Sequence, residues 1–235
     1  MARLNRPTVV IAAATLAGTM LGADAPKHSA LHPVITEILY NVPPGDAGDA
    51  ARDGTRDAAG DEFVELFNPH PKAINLQGYT IANRLAAAEP AGKRGVRFTF
   101  PKFELPPGGV VVVFNGYKTT IAQPVGTSAR APSGPNKEFS DAFIFTMGTR
   151  QPMNAFKNDG DFVLLSSPDG KALQCIIWGE PDPPPPSAVA RTETVAEAPK
   201  GSVQRLTADG DIQPHPAIDG RAFSPGEMPA TAPTP

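Results

Sequence analysis

Residues 62–67 read Glu-Phe-Val-Glu-Leu-Phe and are followed directly by an Asn-Pro pair. In an extended chain successive side chains point to opposite faces, so Val64 and Leu66 share one face while Phe63 and Glu65 share the other. Aromatic and β-branched residues favour strands, and proline interrupts them. The run therefore predicts a β-strand that ends at residue 67 and carries apolar side chains on both faces.

Similar runs recur along the chain. Residues 110–113 are four consecutive valines, whose χ1 freedom is lost in a helix, so they predict a strand that is covered on both faces. Residues 167–170 read Ser-Pro-Asp-Gly between two apolar runs, which predicts a hairpin. Residues 187–198 are compatible with a short helix, although they carry no clean apolar stripe. Further strands are predicted at 34–40, 74–76, 79–81, 96–100, 142–146, 162–165, 172–178 and 202–206.

The composition excludes several classes of protein. The 235 residues include 28 prolines and 22 glycines, more than a helical bundle can absorb, because proline lacks the backbone donor and its ring clashes with the preceding turn. The glycines follow no period of three, which excludes collagen. With 40% hydrophobic residues, 19% charged residues and a net charge of −3, the chain is not a disordered polyelectrolyte. What remains is one all-β domain with many turns.

Roughly eight or nine short strands, several of them apolar on both faces, predict two sheets packed face to face. Long irregular insertions are predicted at 43–61, 115–142 and 181–200. The first is dominated by Asp, Gly and Ala, with nothing to bury, and the third contains a stiff polyproline run at 183–186. Residues 227–235 are predicted to form a disordered tail.

Residues 1–25 have the order of a secretory signal peptide. Arg3 and Arg6 precede an uncharged apolar stretch, and an Ala-Asp-Ala site ends at Ala25. The apolar stretch is shorter than the roughly 20 residues of a spanning helix. Proline directly after a cleavage site disfavours cleavage, so Pro26 leaves two alternatives: cleavage at another position, or an uncleaved segment that acts as an N-terminal membrane anchor. No cysteine follows the stretch, which excludes a lipid anchor. We expect an exported protein in the periplasm, at the cell surface or outside the cell, with its domain at 26–226.

A series of short motifs occurs in order between Pro33 and Gly226. By range they are 35–40 (Ile-Thr-Glu-Ile-Leu-Tyr), 61–68 (Asp-Glu-Phe-Val-Glu-Leu-Phe-Asn), 76–81 (Leu-Gln-Gly-Tyr-Thr-Ile), 97–101 (Arg-Phe-Thr-Phe-Pro), 105–109 (Leu-Pro-Pro-Gly-Gly), 160–165 (Gly-Asp-Phe-Val-Leu-Leu), 201–205 (Gly-Ser-Val-Gln-Arg) and 224–226 (Ser-Pro-Gly). Together they resemble the lamin-tail domain family. Tyr79 stands where that family usually has Trp.

The resemblance implies an immunoglobulin-like β-sandwich, in agreement with the predicted strands. It implies no catalytic residues, because none belong to that domain. Bacterial members are typically exported, and this chain, which has an export signal and no coiled-coil heptads, resembles the bacterial exported type. Glu37 and Glu65 match glutamates that recur in the family, for which a structural role is the simpler interpretation.

Three glutamates on predicted strands could serve as an acid/base pair. Glu37, Glu62 and Glu65 lie on runs that we expect to be neighbouring strands. A sandwich face with one solvated row of side chains, paired across strands with Arg or Lys, explains them without catalysis.

The insertion at 43–61 is the strongest candidate for a metal site. Six carboxylates fall within 17 positions, and if they converged they would offer the oxygen ligands that calcium prefers. The spacing fits no EF-hand, and a solvated acidic loop is the competing interpretation. The predicted calcium ligands are Asp46, Asp49, Asp53 and Asp61, with Asp57 and Glu62 beside them.

Histidine and cysteine give weaker signals. His28 and His32 have the i, i+4 spacing of a zinc pair, but a proline follows His32 and disfavours a helix there. His70 and His215 each stand between two prolines, so solvated loop imidazoles are favoured over a metal site. Cys175 lies in an apolar run and is predicted to be a small buried residue on a strand.

These observations predict a non-catalytic exported module that binds a protein, envelope or matrix component through its loops. The alternative is a metal-assisted hydrolase or calcium-binding domain that uses the loop and strand carboxylates. No cofactor is predicted apart from that calcium. A nucleic-acid partner is not expected, because the net charge is negative and only residues 93, 94 and 97 form a basic cluster.

Overall fold

The computed structural model describes residues 32–89, 94–150, 154–195 and 201–228. The predicted signal peptide, residues 1–25, lies outside these ranges. So do 229–235, most of the predicted tail, whereas Glu227 and Met228 are described and half-buried. None of the helices in the described ranges is long and apolar enough to cross a membrane.

Seven strands form the larger sheet, and its centre is the pair predicted from residues 34–40 and 62–67. The valine run lies next to that pair and is followed by two strands with parallel pairing. In spatial order the strands are β14 (Ile212–Pro214), β13 (Val203–Arg205), β1 (Val34–Leu39), β2 (Phe63–Phe67), β7 (Val110–Phe114), β9 (Phe143–Thr146) and β8 (Val125–Gly126).

Five strands form the second sheet, built around the predicted hairpin. In spatial order they are β12 (Arg191–Val195), β11 (Ala172–Gly179), β10 (Gly160–Ser166), β4 (Thr80–Ala82) and β5 (Arg97–Thr99). A two-stranded sheet of β3 (Ile74–Asn75) and β6 (Glu104–Leu105), two α-helices, α1 (Arg84–Ala88) and α2 (Pro216–Asp219), and two 3-10 helices (Asp46–Gly48 and Lys137–Phe139) complete the described elements.

The two sheets enclose the main core, as expected for an immunoglobulin-like β-sandwich. Val64 and Leu66 point into it from β2, so the predicted alternation is confirmed. Tyr40, directly after β1, stacks on Trp178 of β11 in the second sheet, with ring centroids 4.0 Å apart and planes 7° apart. Such aromatic contacts add to the free energy gained from burying the rings. The all-β sandwich follows from this packing.

The outer face of the larger sheet is covered as well. Phe63, Val112 and Phe114 pack there against residues from the insertions at 43–61 and 115–142. The expectation that the first insertion has nothing to bury was wrong, because its alanines at 50 and 51 are buried against the sheet. The same packing covers both faces of the valine strand, as predicted. Alanine is small enough to let a loop backbone lie close to a sheet. Because such alanines form no periodic apolar pattern, their burial could not be predicted from the sequence.

The possible helix at 187–198 is not found in residues 187–195, the part of this range that the structure describes. Residues 191–195 form β12, which pairs parallel to β11 with Glu193 opposite Ile176. The run Arg-Thr-Glu-Thr-Val alternates charged and β-branched residues, and its charged members point to one side, toward Arg205. The described ranges contain 14 strands rather than eight or nine, and the extra ones are short segments such as β3, β6 and β8.

Candidate functional site

A β-bulge in β1 brings two glutamates together. The register with β2 shifts between Ile35 and Glu37, so Glu37 lies directly opposite Glu65. A bulge sets two residues against one on the partner strand, and Thr36 uses its place to donate a hydrogen bond from Oγ1 to Oε1 of Glu65 (2.8 Å). Both carboxyls are fully buried beneath the C-terminal part of the chain.

Glu37 lies within hydrogen-bond distance of four groups of the C-terminal part. Oε1 accepts from Oγ of Ser202 (2.5 Å) and from the backbone N–H of Ser224 (2.9 Å). Oε2 accepts from Nε2 of Gln204 (3.1 Å) and contacts Oγ of Ser224 (3.2 Å). Burial raises the pKa of Glu37 to about 7, and the bonds from Ser202 and Ser224 oppose that rise.

Glu65 holds the next turn of the same segment. Its Oε2 accepts the backbone N–H of Gly226 (2.8 Å). Burial and the neighbouring Glu37 raise the pKa of Glu65 well above its usual value. The expected solvated row, paired with Arg or Lys, was wrong for these two residues, because the segment 221–227 covers this face and neutral hydroxyl, amide and backbone groups bind the carboxyls.

Glu62 is buried at a different place. Its Oε2 accepts from the backbone N–H of Ala155 and from Nδ2 of Asn115 (3.3 Å). Burial raises its pKa well above the usual value. In the described ranges Glu62 shares no hydrogen-bond partner with Glu37 or Glu65. The structure therefore brings two of the three predicted glutamates together and keeps the third apart.

Three carboxylates of the acidic insertion, those of Asp49, Asp53 and Asp61, accept hydrogen bonds from backbone N–H groups. Asp61, which is fully buried, accepts from the N–H groups of Ala51 (2.7 Å) and Asp57 (2.6 Å). Asp49 accepts from residues 53 and 54, and Asp53 from residues 55 and 120. Burial raises the pKa of Asp61 to about 6. These bonds define the shape of the loop.

Within the described ranges no group of three or more His, Cys, Asp or Glu side chains is arranged to hold a metal ion. The predicted calcium ligands Asp49, Asp53 and Asp61 are engaged by backbone N–H groups, and Asp46 lies in the first 3-10 helix. The calcium hypothesis stays a prediction. Calorimetry of the full chain tests it: heat at millimolar calcium that disappears in Asp49→Asn supports it, and no heat ends it.

The described histidines bind neighbouring residues. Nδ1 of His32 lies 2.6 Å from the Tyr79 hydroxyl, and Nε2 of His70 lies 3.0 Å from the His32 carbonyl oxygen. His215 is fully buried, so its interpretation as a solvated loop imidazole was wrong. His28 lies outside the described residues. Cys175 is buried on β11 as predicted, and burial raises the pKa of its thiol to about 12, which excludes a thiolate nucleophile at neutral pH.

A groove of about 600 Å³ crosses the outer face of the second sheet. We call it the outer groove. Its floor includes Leu164 and Ser166 of β10, one wall includes Ala87 of α1, and Pro186 and Ala188 extend the proline-rich insertion along it. A small apolar cluster beneath this face joins Leu164 to Phe162 and Cys175. A volume of this size is in the range of ligand pockets.

The charged side chains that line the outer groove are both positive. They are Arg97 of β5 and Lys171 of the hairpin, both exposed, and the described lining contains no carboxylate. The guanidinium of Arg97 donates to the carbonyl oxygen of Ala86, which fixes it beside α1. Asp169 is outside the lining, and its carboxylate accepts from Oγ of Ser167. The groove therefore favours a ligand with negative charge.

A comparison with protein-family profiles matches residues 26–180 to the lamin tail domain family. The match covers more than half of the chain. The chain belongs to this family. Lamin tail domains are non-catalytic immunoglobulin-like domains of the protein-interaction type, in agreement with the sandwich and with the structural use of its buried glutamates. No curated protein matches the chain.

Sequence reasoning did not find the groove of this lamin tail domain. Its lining comes from five separate segments, and residues such as Arg97 and Lys171 stand in ordinary strand and hairpin contexts. The only signal was the polyproline run at 183–186, whose last residue, Pro186, lines the groove. The loops that were expected to bind a partner include the insertions at 43–61 and 115–142, and several apolar residues of both insertions pack against the larger sheet.

Proposed function

We propose that this lamin tail domain is an exported, non-catalytic module that binds an extended acidic segment of an envelope or matrix protein in the outer groove. The signal-like order of residues 1–25 supports export to the periplasm, the cell surface or the extracellular space. The observation that carries the binding proposal is the groove itself, which is lined by Arg97 and Lys171 and by no carboxylate among the described residues.

The lining chemistry fits a polypeptide better than a nucleic acid. Leu164, Ala172 and Pro186 offer apolar contacts, while Ser166 and Thr80 offer hydroxyl groups between them. An extended peptide presents side chains and backbone groups in the same alternation. The net charge of −3 disfavours a nucleic-acid backbone as the partner, because the 21 Lys and Arg residues are outnumbered by 24 Asp and Glu and form no large cluster that could neutralise many phosphates.

A fluorescein-labelled eight-residue peptide of alternating Glu and Ala is the probe for this proposal. We expect the full chain to bind it, and the double variant Arg97→Glu/Lys171→Glu to bind at least about tenfold more weakly, because two attractive charges become repulsive. Fluorescence anisotropy at low and high salt measures both, and binding should weaken with salt.

The matched control is Lys102→Glu/Lys118→Glu, which reverses two exposed lysines outside the groove lining. It should bind the peptide within about threefold of the parent, since distant exposed charges are screened. Equal losses in both double variants would mean that net charge, not the groove, drives binding. Crosslinking in the envelope fraction with the same variants then identifies the natural partner.

A further inference from the structure

The hydroxyl of Ser224 lies between three polar side chains in the buried interior. Its Oγ is 2.9 Å from Nε2 of His215, 2.9 Å from Nε2 of Gln204 and 3.2 Å from Oε2 of Glu37. Ser224 and His215 belong to residues 215–228, which we call the C-terminal clasp. The clasp is joined to β13 by backbone bonds from His215 to Ser202 (2.9 Å) and from Ser202 to Ala222 (2.8 Å).

Counting hydrogens along this chain of contacts shows that it needs an extra proton. Nδ1 of His215 lies 2.9 Å from the carbonyl oxygen of Arg221, which can only accept, so Nδ1 carries a hydrogen. In a neutral imidazole Nε2 is then an acceptor and takes the single hydrogen of Ser224. Oγ of Ser224 has no hydrogen left for Oε2 of Glu37, and their contact is a hydrogen bond only if Glu37 is protonated.

The second arrangement holds the same number of protons. In a protonated imidazole Nε2 donates to Ser224, which donates its own hydrogen to an ionised Glu37. If the proton is lost, either Glu37 or Nε2 of His215 faces a lone pair of Ser224, and a buried carboxylate remains. An unsatisfied buried group of this kind is costly. The closed clasp thus binds one proton across Glu37, Ser224 and His215.

The surrounding charges do not replace that proton. Glu65 lies opposite Glu37 and is negative when ionised. On the clasp, Arg221 pairs with Asp219 (2.8 Å) and Glu227 (2.7 Å), and its side chain is half exposed. From the first insertion, Arg52 approaches Glu227 at 3.8 Å. Nδ1 of His215 lies 3.5 Å from Asp219. The positive charges facing the glutamates are therefore already paired with other carboxylates.

We propose that residues 215–228 form a proton-locked clasp, which is closed while Glu37, Ser224 and His215 share a proton and opens over the outer face of the larger sheet when that proton is lost. Opening would expose Glu37 and Glu65 together with Phe139, whose carbonyl oxygen lies where a Cβ on Gly226 would stand. It is independent of the groove, which lies on the other sheet.

The sign of the pH dependence follows from linkage. An imidazole in water keeps its proton below about pH 6.5, so between about pH 4.5 and 6.5 the proton that Glu37 releases on opening stays on His215, and closing takes up no net proton at this pair. Burial and the neighbouring Glu37 raise the pKa of Glu65 well above its usual value in the closed state, so Glu65 takes up a proton on closing and the opening constant rises roughly tenfold per pH unit. Above about pH 6.5 the opened His215 also loses its proton, and the proton shared in the closed clasp, where burial raises the pKa of Glu37 to about 7, adds to the rise. From pH 5 to pH 7 we expect at least about a hundredfold increase.

Amide hydrogen exchange of the full chain measures this opening. The opening constant at each pH is the observed exchange rate of an amide divided by its intrinsic exchange rate at that pH. The reporters are the amides of Ser224 and Gly226, which donate to Glu37 and Glu65. Leu164 and Cys175, paired in β10 and β11, report global unfolding and should stay protected. In Glu37→Gln the pH dependence should lose about tenfold per pH unit, because the closed clasp then holds no shared proton, and in Glu37→Gln/Glu65→Gln the opening constant should no longer rise between pH 5 and pH 7.

Glu104→Gln, an exposed change on β6, is the control and should leave the dependence unchanged. An opening constant that is the same at pH 5 and pH 7, or one that rises as steeply in Glu37→Gln as in the parent, overturns the proposal. If the variants do not fold, carboxyl ¹³C spectra of the unmodified protein decide: a Glu carboxyl that titrates near or above pH 7 supports the clasp, and titration of all Glu carboxyls below pH 5.5 contradicts it.

Discussion

Replacing Arg205 by alanine is expected to destabilise the fold by about 3–5 kcal/mol, because it leaves buried partners without their donor. The guanidinium is fully buried and ties β13 to three other parts of the protein. Nε donates to the carbonyl oxygen of Ile35 (2.7 Å), Nη1 donates to that of Gly210 (2.6 Å), and both Nη atoms bind the carboxylate of Glu193 (2.7 and 2.5 Å).

Urea denaturation followed by tryptophan fluorescence measures the free energy of unfolding. The control is Lys137→Ala, which removes an exposed i, i+4 ion pair with Asp141 and should cost no more than about 0.5 kcal/mol. Similar small changes in the free energy of unfolding for both variants would show that Arg205 does not hold these strands together. The pH dependence of the free energy of unfolding gives a second test of this ion pair. Burial opposes the ionised form of Glu193, but Arg205 and Arg191 hold the pKa of Glu193 below its usual value. The stability that ionised Glu193 contributes is therefore lost as pH falls through that lowered pKa.

Replacing Trp178 by alanine is also expected to lower the free energy of unfolding by about 3–5 kcal/mol. The ring is 1% exposed, stacks on Tyr40, meets Phe156 edge-on and donates from Nε1 to the carbonyl oxygen of Lys157 (2.8 Å). Truncation removes the apolar area, opens a cavity between the sheets and leaves that carbonyl group without its donor. Thermal or urea unfolding followed by far-ultraviolet circular dichroism measures the change.

Trp178→Phe separates these contributions. It keeps an aromatic ring against Tyr40 but loses the hydrogen bond to Lys157, so it should cost clearly less than the alanine variant. Leu206→Ala is the surface control, since that side chain is 47% exposed, and it should stay within about 0.5 kcal/mol of the parent. An alanine variant as stable as the surface control would contradict the central position of Trp178 in the core.

Strands that bury a regular set of side chains could be predicted from the sequence. The alternation of Val64 and Leu66 with Phe63 and Glu65 predicted β2 correctly, and four consecutive β-branched residues predicted the valine strand with both faces covered. Short strands such as β8 leave no periodic pattern, because two residues cannot show a period. The strand β12 was missed because its charged side chains point toward Arg205, a partner that only the fold brings near.

The contacts of Glu37 and Glu65 could not be predicted from the sequence, for a different reason. A glutamate between apolar residues on a strand is expected to face water, and nothing nearby in the sequence indicates that residues 202, 204, 224 and 226 will bind it. The bonded pairs are separated by 161 positions (Gly226 and Glu65) to 187 positions (Ser224 and Glu37). The family resemblance linked the motifs in order, but only the structure shows that the last ones cover the first.

Backbone chemical shifts of the ¹⁵N-labelled full chain, recorded while the alternating Glu–Ala peptide is added, locate the peptide on the surface of the domain. We expect the shifts to concentrate at the outer groove, at Thr80, Arg97, Ser166 and Lys171, and to disappear in Arg97→Glu/Lys171→Glu. Shifts confined to the insertions at 43–61 and 115–142, or no shifts at millimolar peptide, would contradict the assignment of the outer groove as the binding surface.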